Sequence, residues 1–179
     1  MPRSSSPRSS VQIAFGLAGF VLLCFVVAGI GGHAVSHQMY WYSRLHKPSI
    51  TPPDWVFSVV WTILYGIMAL AAWMIWRTPR RRHRSKTSYA QDDVQGTARV
   101  DALAVFYIQL ALNLLWTEMF FHFHRLFVST VVILALWIAV AFTIFLFWRV
   151  RPLPAWLMVL YLAWITYATA LNLTFLRLN

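Results

Sequence analysis

Residues Val11 to Val35 read VQIAFGLAGFVLLCFVVAGIGGHAV, without one Asp, Glu, Lys or Arg. At ~1.5 Å rise per residue, a helix over this run crosses the ~30 Å hydrocarbon layer of a bilayer with residues to spare. The apolar character is continuous rather than alternating, which argues against a strand of a closed barrel. The first run is also too long for the apolar part of a signal peptide, and no clear small-x-small cleavage site follows it before His33. It is expected to be a retained first span. With only ten residues ahead of it, a mitochondrial transit peptide is not expected either.

The pattern restarts four times outward from there, at Trp55 to Trp76, Asp101 to Phe121, Leu126 to Trp148 and Pro154 to Leu176. The chain is 60% hydrophobic and 11% charged, against about 25% charged in soluble domains. The expectation is an all-α integral membrane protein, a bundle of five transmembrane helices in one domain over residues 11–177. A short basic leader covers 1–10, an aromatic loop 33–54, and a basic loop 77–100. Of the 15 basic residues, all but Arg44, Lys47, Arg125 and Arg177 fall on one side if the N-terminus is cytoplasmic. The topology expected is therefore N-terminus inside and C-terminus outside. That distribution also accounts for the net charge of +10 through orientation and anionic lipid, so no nucleic-acid partner is expected. Cys24, the single cysteine, has no partner for an internal disulfide and reads as a packing residue.

The loop from His33 to Asp54 holds three histidines and three prolines, with Tyr40, Trp41 and Tyr42 suited to a membrane–water boundary. It reads either as an aromatic belt or as a lid folded over the bundle. Thr51 is placed to cap the second span, with Pro52 and Pro53 in its first turn and Asp54 at the positive end of its dipole. The basic loop from Thr78 to Ala98 reads as a solvated, mobile cytoplasmic segment.

Inside the spans, helical spacing gathers three stripes: Trp61, Tyr65, Met68 and Ala72; Gln109, Asn113, Trp116 and Phe120; Tyr161, Trp164, Ala168 and Leu171, with Asn172 beside them. Amides at this depth need a partner. Asn113 and Asn172 fit helix locks, while Gln109 divides between packing and pocket lining. The tryptophans fit core packing or the walls of a flat cavity for a planar tetrapyrrole or a sterol. Glu118 is the one acid deep in the apolar pattern, with Arg125, His122, His124, Arg44 and Lys47 as possible partners. His33, His37, His46, His122 and His124 share one side, but no cysteine or carboxylate cluster joins them, so no metal site is expected. No phosphate-cradling loop, nucleophile elbow or paired-carboxylate site occurs. Five spans give no inverted pairing of halves of the kind repeat-built transporters use.

Three segments carry a resemblance. WYSRLHKPSITPPDWVFSVVWTILYGIMALAAW (Trp41 to Trp73), QLALNLLWTEMFF (Gln109 to Phe121) and YLAWITYATALN (Tyr161 to Asn172) resemble, in order and spacing, the signatures of the TspO/MBR family. These are the tryptophan-rich sensory and translocator proteins, once called peripheral-type benzodiazepine receptors. The resemblance implies five helices around a ligand cavity closed by the first long loop, commonly in a homodimer. It implies protoporphyrin IX or haem as ligand, isoquinoline carboxamide-type drugs as further ligands, and no required cofactor. Trp41, Lys47, Pro48, Pro52, Pro53 and Trp55 match the family's loop and the start of its second helix. Trp61, Tyr65, Asn113, Trp116, Trp164, Ala168 and Leu171 match its cavity positions, and Gln109 joins them from the helix-face reading. Trp61 and Trp164 match the pair tied to photo-oxidative porphyrin breakdown, so they are the catalytic residues if the protein is an enzyme.

The arginine-rich loop and short termini look bacterial, which implies a multi-pass protein of the inner membrane. The leading functional expectation is a porphyrin-binding sensor or regulator. The alternatives are a light- and oxygen-dependent porphyrin-degrading enzyme and a tetrapyrrole or sterol transporter. Two departures stand out. Glu118 occupies a position where the family usually has proline, which implies a straighter third span. The segment Leu171 to Arg177 lacks the tyrosine of the family's sterol motif, which argues against cholesterol as natural ligand.

Overall fold

The computed structural model describes residues 9–78 and 89–179. Most of the basic leader, with Arg3 and Arg8, and the arginine cluster at 80–84 with Lys86 lie outside the described residues. Helix α1 spans Ser10–His37, α2 Met39–Ser43, α3 Asp54–Trp76, α4 Tyr89–Thr117, α5 Leu126–Val150 and α6 Pro152–Leu178. A π-helical turn, Glu118–His122, continues α4. Among the described residues, α1, α3, α4 with its π turn, α5 and α6 are the five helices long enough and apolar enough to cross a membrane.

Local chemistry sets most of the helix ends. Ser9 caps α1 in a reciprocal box: its hydroxyl accepts from the Gln12 N–H (3.2 Å), and its own N–H donates to Gln12 Oε1 (3.1 Å). Between α5 and α6 only Arg151 is extended (φ −154°, ψ 134°), and Pro152 opens α6 with a φ already suited to a first turn. Helix α3 differs from its expected start. Pro53 is the cap residue, extended at φ −55°, ψ 143°, and no side chain caps the helix. The Thr51 hydroxyl is buried without a hydrogen-bond partner, so Thr51 does not fill the capping role expected of it. Asp54 does sit in the first turn, where the dipole favours a carboxylate.

Helix α4 begins well before the apolar pattern does, at Tyr89, so 89–98 is helix rather than loop. At Glu118 the span changes from α- to π-helical. The Phe123 N–H donates to the Glu118 carbonyl at 2.9 Å, closing an i to i+5 turn, and His124 follows with φ at +55°.

The helices close a ring in the order α1, α3, α6, α5, α4. Apolar side chains face outward: Phe127, Val131, Leu134, Ile138, Phe142 and Phe145 form an exposed stripe along α5. Such a face is stable only in an apolar solvent. The half of the bundle away from α2 is solid. Met68, Ala69, Ala72 and Ile75 of α3 are fully buried with Ala102 and Phe106 of α4, Leu136 and Val140 of α5, and Met158 and Ile165 of α6. The alanines let backbones approach closely. Helices α1 and α3 lock here as well, since the Trp73 indole N–H donates to the Ile13 carbonyl at 3.0 Å. A Cβ on Gly16 would fall 2.3 Å from the Trp76 ring. Gly16 therefore lets α1 approach α3 at Trp76.

Candidate functional site: an aromatic cavity beneath the lid

The other half of the bundle is hollow. A cavity of about 540 Å³ lies among α1, α3, α4 and α6, with α2 above it. Its size falls within the ~300–1,000 Å³ usual for small-molecule sites. Trp61 and Tyr65 of α3, Trp116 of α4, and Ala168 and Leu171 of α6 all line it. Trp61 is the hub of the wall. Its ring centroid lies 5.8 Å from Tyr65, 5.8 Å from Trp116, 6.3 Å from Tyr161 and 6.4 Å from Trp164.

Four of the residues expected at the site do not line the cavity. Trp164 packs edge-on against Trp61 (interplanar 87°) and Phe57, with its indole nitrogen buried and unpartnered. Asn113 lies beneath the wall, where its carbonyl accepts from the Tyr65 hydroxyl (2.6 Å) and its amide donates to the Tyr161 hydroxyl (2.8 Å). That one side chain ties α3, α4 and α6. Gln109 is fully buried against Met68, its Nε2 3.9 Å from the sulfur and its Oε1 without a partner. Trp41 belongs to the lid, stacked on His124 with centroids 4.0 Å apart and edge-on to Phe120.

Asn172 makes the second lock and also touches the cavity. Its carbonyl accepts from the Trp116 indole (2.9 Å) and from Ser129 (3.2 Å), and its amide donates to Thr130 (2.6 Å). A buried amide satisfied on both sides holds α4, α5 and α6 together. It also fixes the plane of Trp116, a cavity wall.

The lid is ordered and pinned at several points. Tyr42 is buried against Phe121 and Phe175. The Tyr167 hydroxyl donates to the Ile50 carbonyl at 2.7 Å, and the His46 N–H donates to Asn179 Oδ1 at 2.9 Å. His124 Nε2 lies 3.2 Å from Gln38 Oε1. Burial, with the nearby Asp54 and Tyr167, pushes the Tyr42 phenol up to about 12. The Lys47 ammonium lies over that ring, 4.4 Å from its centroid. Among the described residues Glu118 forms no ion pair with any of its expected partners.

Sequence reasoning missed the contribution of α1, where Ala28, Gly31, Gly32, Val35 and Ser36 form one wall. Gly31 is where α1 meets α4, since a Cβ there would lie 3.4 Å from Thr117. The span is apolar on all sides, so no periodicity marked its inner face. Phe120 lines the cavity from the stripe shared with Trp116, while Phe121 and Phe175 were missed as lining too. Only the π turn and the lid decide that their rings face the cavity mouth.

Known proteins match this chain along most of its length. The sequence model of the TspO/MBR family covers residues 20–178. The chain is 37% identical to the protein CrtK of Rhodobacter capsulatus over 139 residues, which is 78% of each chain. It is 38% identical to the tryptophan-rich sensory protein of Cereibacter sphaeroides over 139 residues, 78% of this chain and 77% of that one. To the human translocator protein it is 31% identical over 157 residues, 86% of this chain and 84% of the relative. With these matches and five apolar spans, the chain is a multi-pass membrane protein and belongs to the TspO/MBR family.

Proposed function

We propose that this protein is a membrane sensor that binds a porphyrin, with metal-free protoporphyrin IX as the best-suited ligand, in the cavity beneath the lid. The observation that carries this reading is the wall itself. Trp61, Trp116 and Tyr65 line the cavity together with the small Ala168 and with Gly31 and Gly32 of α1, a largely apolar and aromatic space suited to a flat ring system. The lining offers no imidazole or thiolate for an iron ion, which favours the metal-free macrocycle over haem. It also offers no cation. Its one charged side chain is Asp54, and Lys47, held over the lining residue Tyr42 at the lid, supplies a countercharge for a propionate. The names of two relatives, a tryptophan-rich sensory protein and a translocator protein, fit a sensing or receptor role. The protein so read works in a bacterial inner membrane as a homodimer, with the lid on the outer side, and accepts isoquinoline carboxamide-type drugs in the same cavity.

One observation favours a second reading, light- and oxygen-dependent breakdown of the porphyrin. Trp61 and Trp164 stand 6.4 Å apart, a wall residue backed by a second indole that could pass an electron to it. In that reading Trp61 gives an electron to the excited ring, Trp164 refills Trp61 and regains its electron as the ring is oxidised, and dioxygen takes up the electrons the ring loses.

Titration of protoporphyrin IX in the dark, followed by illumination, tests both. Binding is expected to be saturable and to weaken by about tenfold or more in Trp61→Ala, through loss of stacking and buried area. Trp164→Ala is expected to spare dark binding. Equal affinity in wild type and Trp61→Ala contradicts the binding site. A photoproduct that requires the protein and disappears in Trp164→Ala establishes the enzymatic reading, and one formed equally without protein removes it.

A further inference from the structure

We propose that His33 and His37 form a two-imidazole chelate for a divalent transition-metal ion of the zinc or copper(II) class, at the lid end of α1. The two residues are four apart on one helix, so their side chains share a face. Their rings stand 4.0 Å apart between centroids, tilted by 43°. Both are exposed, so an ion reaches them without displacing packed groups.

The hydrogen bonds around the pair set the chemistry. His37 Nδ1 lies 3.1 Å from the His33 carbonyl oxygen. A carbonyl oxygen only accepts, so this contact places the proton on Nδ1 and leaves the lone pair of Nε2 free. That is the tautomer a metal needs, and a backbone carbonyl orienting the other ring nitrogen is the usual support of a histidine ligand. Ser36 strengthens the arrangement. Its hydroxyl donates to the same carbonyl at 2.9 Å and lies 3.4 Å from His37 Nδ1. His37 also lies in the last turn of α1, where the negative end of the helix dipole favours a cation.

The remaining described histidines are occupied differently. His124 is stacked on Trp41 and contacts Gln38, His46 is joined to Asn179, and His122 packs edge-on to Phe123. Among the described residues no third His, Cys, Asp or Glu completes a set with His33 and His37. The other coordination positions thus fall to water, which makes the site open and exchangeable rather than a closed structural one. Imidazole ligands select zinc, copper or nickel over magnesium and calcium. A bound ion would staple the turn that carries Ser36, a cavity-lining residue, and runs through Gln38 into the lid helix α2. The proposal does not depend on the nature of the cavity ligand.

The test is calorimetric titration of Zn²⁺ into the tag-free, detergent-purified full chain, with amide exchange followed over residues 33–43. Wild type is expected to take up one ion saturably. His33→Ala and His37→Ala are each expected to weaken it at least about tenfold, and His122→Ala to leave it unchanged. Zinc is expected to slow exchange over 33–43 in wild type and in neither of the two variants, while Mg²⁺ does nothing. Both positions are exposed, so helicity measured by circular dichroism should stay at the wild-type level. Equal zinc binding in all four proteins, or loss in only one of His33→Ala and His37→Ala, overturns the chelate. Slowed exchange that persists in both variants overturns it as well.

Discussion

Single side chains decide whether this bundle holds a site or a packed core. Asn113 illustrates how. It partners the hydroxyls of Tyr65 and Tyr161, so Asn113→Leu is expected to strand both and cost about 1–3 kcal/mol. Thermal unfolding in detergent would register the loss, and an unchanged midpoint would contradict the network. Position 168 acts in the opposite sense. Ala168 is buried at the cavity wall, and a larger side chain there removes ligand space without breaking a hydrogen bond. The locking role of Asn113 and Asn172 was legible in the sequence, because an amide in an apolar span must find a partner. The place of Trp164 was not. Helix-face spacing gives a direction, but Trp164 meets Trp61 before it reaches the cavity, and only the neighbouring helix determines that. Gln109 likewise lies on the right face yet too deep, where α3 and α4 have already closed around Met68.

Whole helices contribute through how closely they approach one another. Helices α1 and α3 touch at Gly16 and Trp76, whereas nothing lies within 4 Å of a Cβ built on Gly19. Gly16→Ala is therefore expected to destabilise the bundle by about 1–3 kcal/mol through overpacking against Trp76, and Gly19→Ala to be neutral. Paired thermal melts check the contrast, and equal midpoints would argue against the α1–α3 contact. At the lid end, Tyr167→Phe removes the hydroxyl that holds Ile50. Ligand exchange measured by stopped flow should accelerate about 2- to 10-fold, in line with one lost hydrogen bond. Span existence was plain from the sequence, since lipid as solvent demands long uncharged runs. Helix ends were less so. Apolar character marks the hydrocarbon layer, while α4 extends through the polar stretch from Tyr89, beyond where hydropathy would stop it. The π turn left no compositional trace, because one extra residue in a turn changes registry and not character. With proline absent at 118, the backbone there closes a π turn.

The molecule as a whole divides into a solid half, filled by small and branched side chains, and a hollow half roofed by α2. Three matched segments made the site's location legible, as they place aromatic residues at corresponding depths on α3, α4 and α6. The α1 wall and the lid's anchoring were not legible, since both arise from contacts between distant segments such as His46 with Asn179. The central claim is that the hollow half is the ligand site. Dark titration of protoporphyrin IX into Ala168→Phe beside wild type tests it most directly. Saturable binding in wild type, lost in a variant with unchanged helicity and dispersion in detergent, is the result predicted. Undiminished affinity in Ala168→Phe would place the porphyrin elsewhere on the protein and contradict the account.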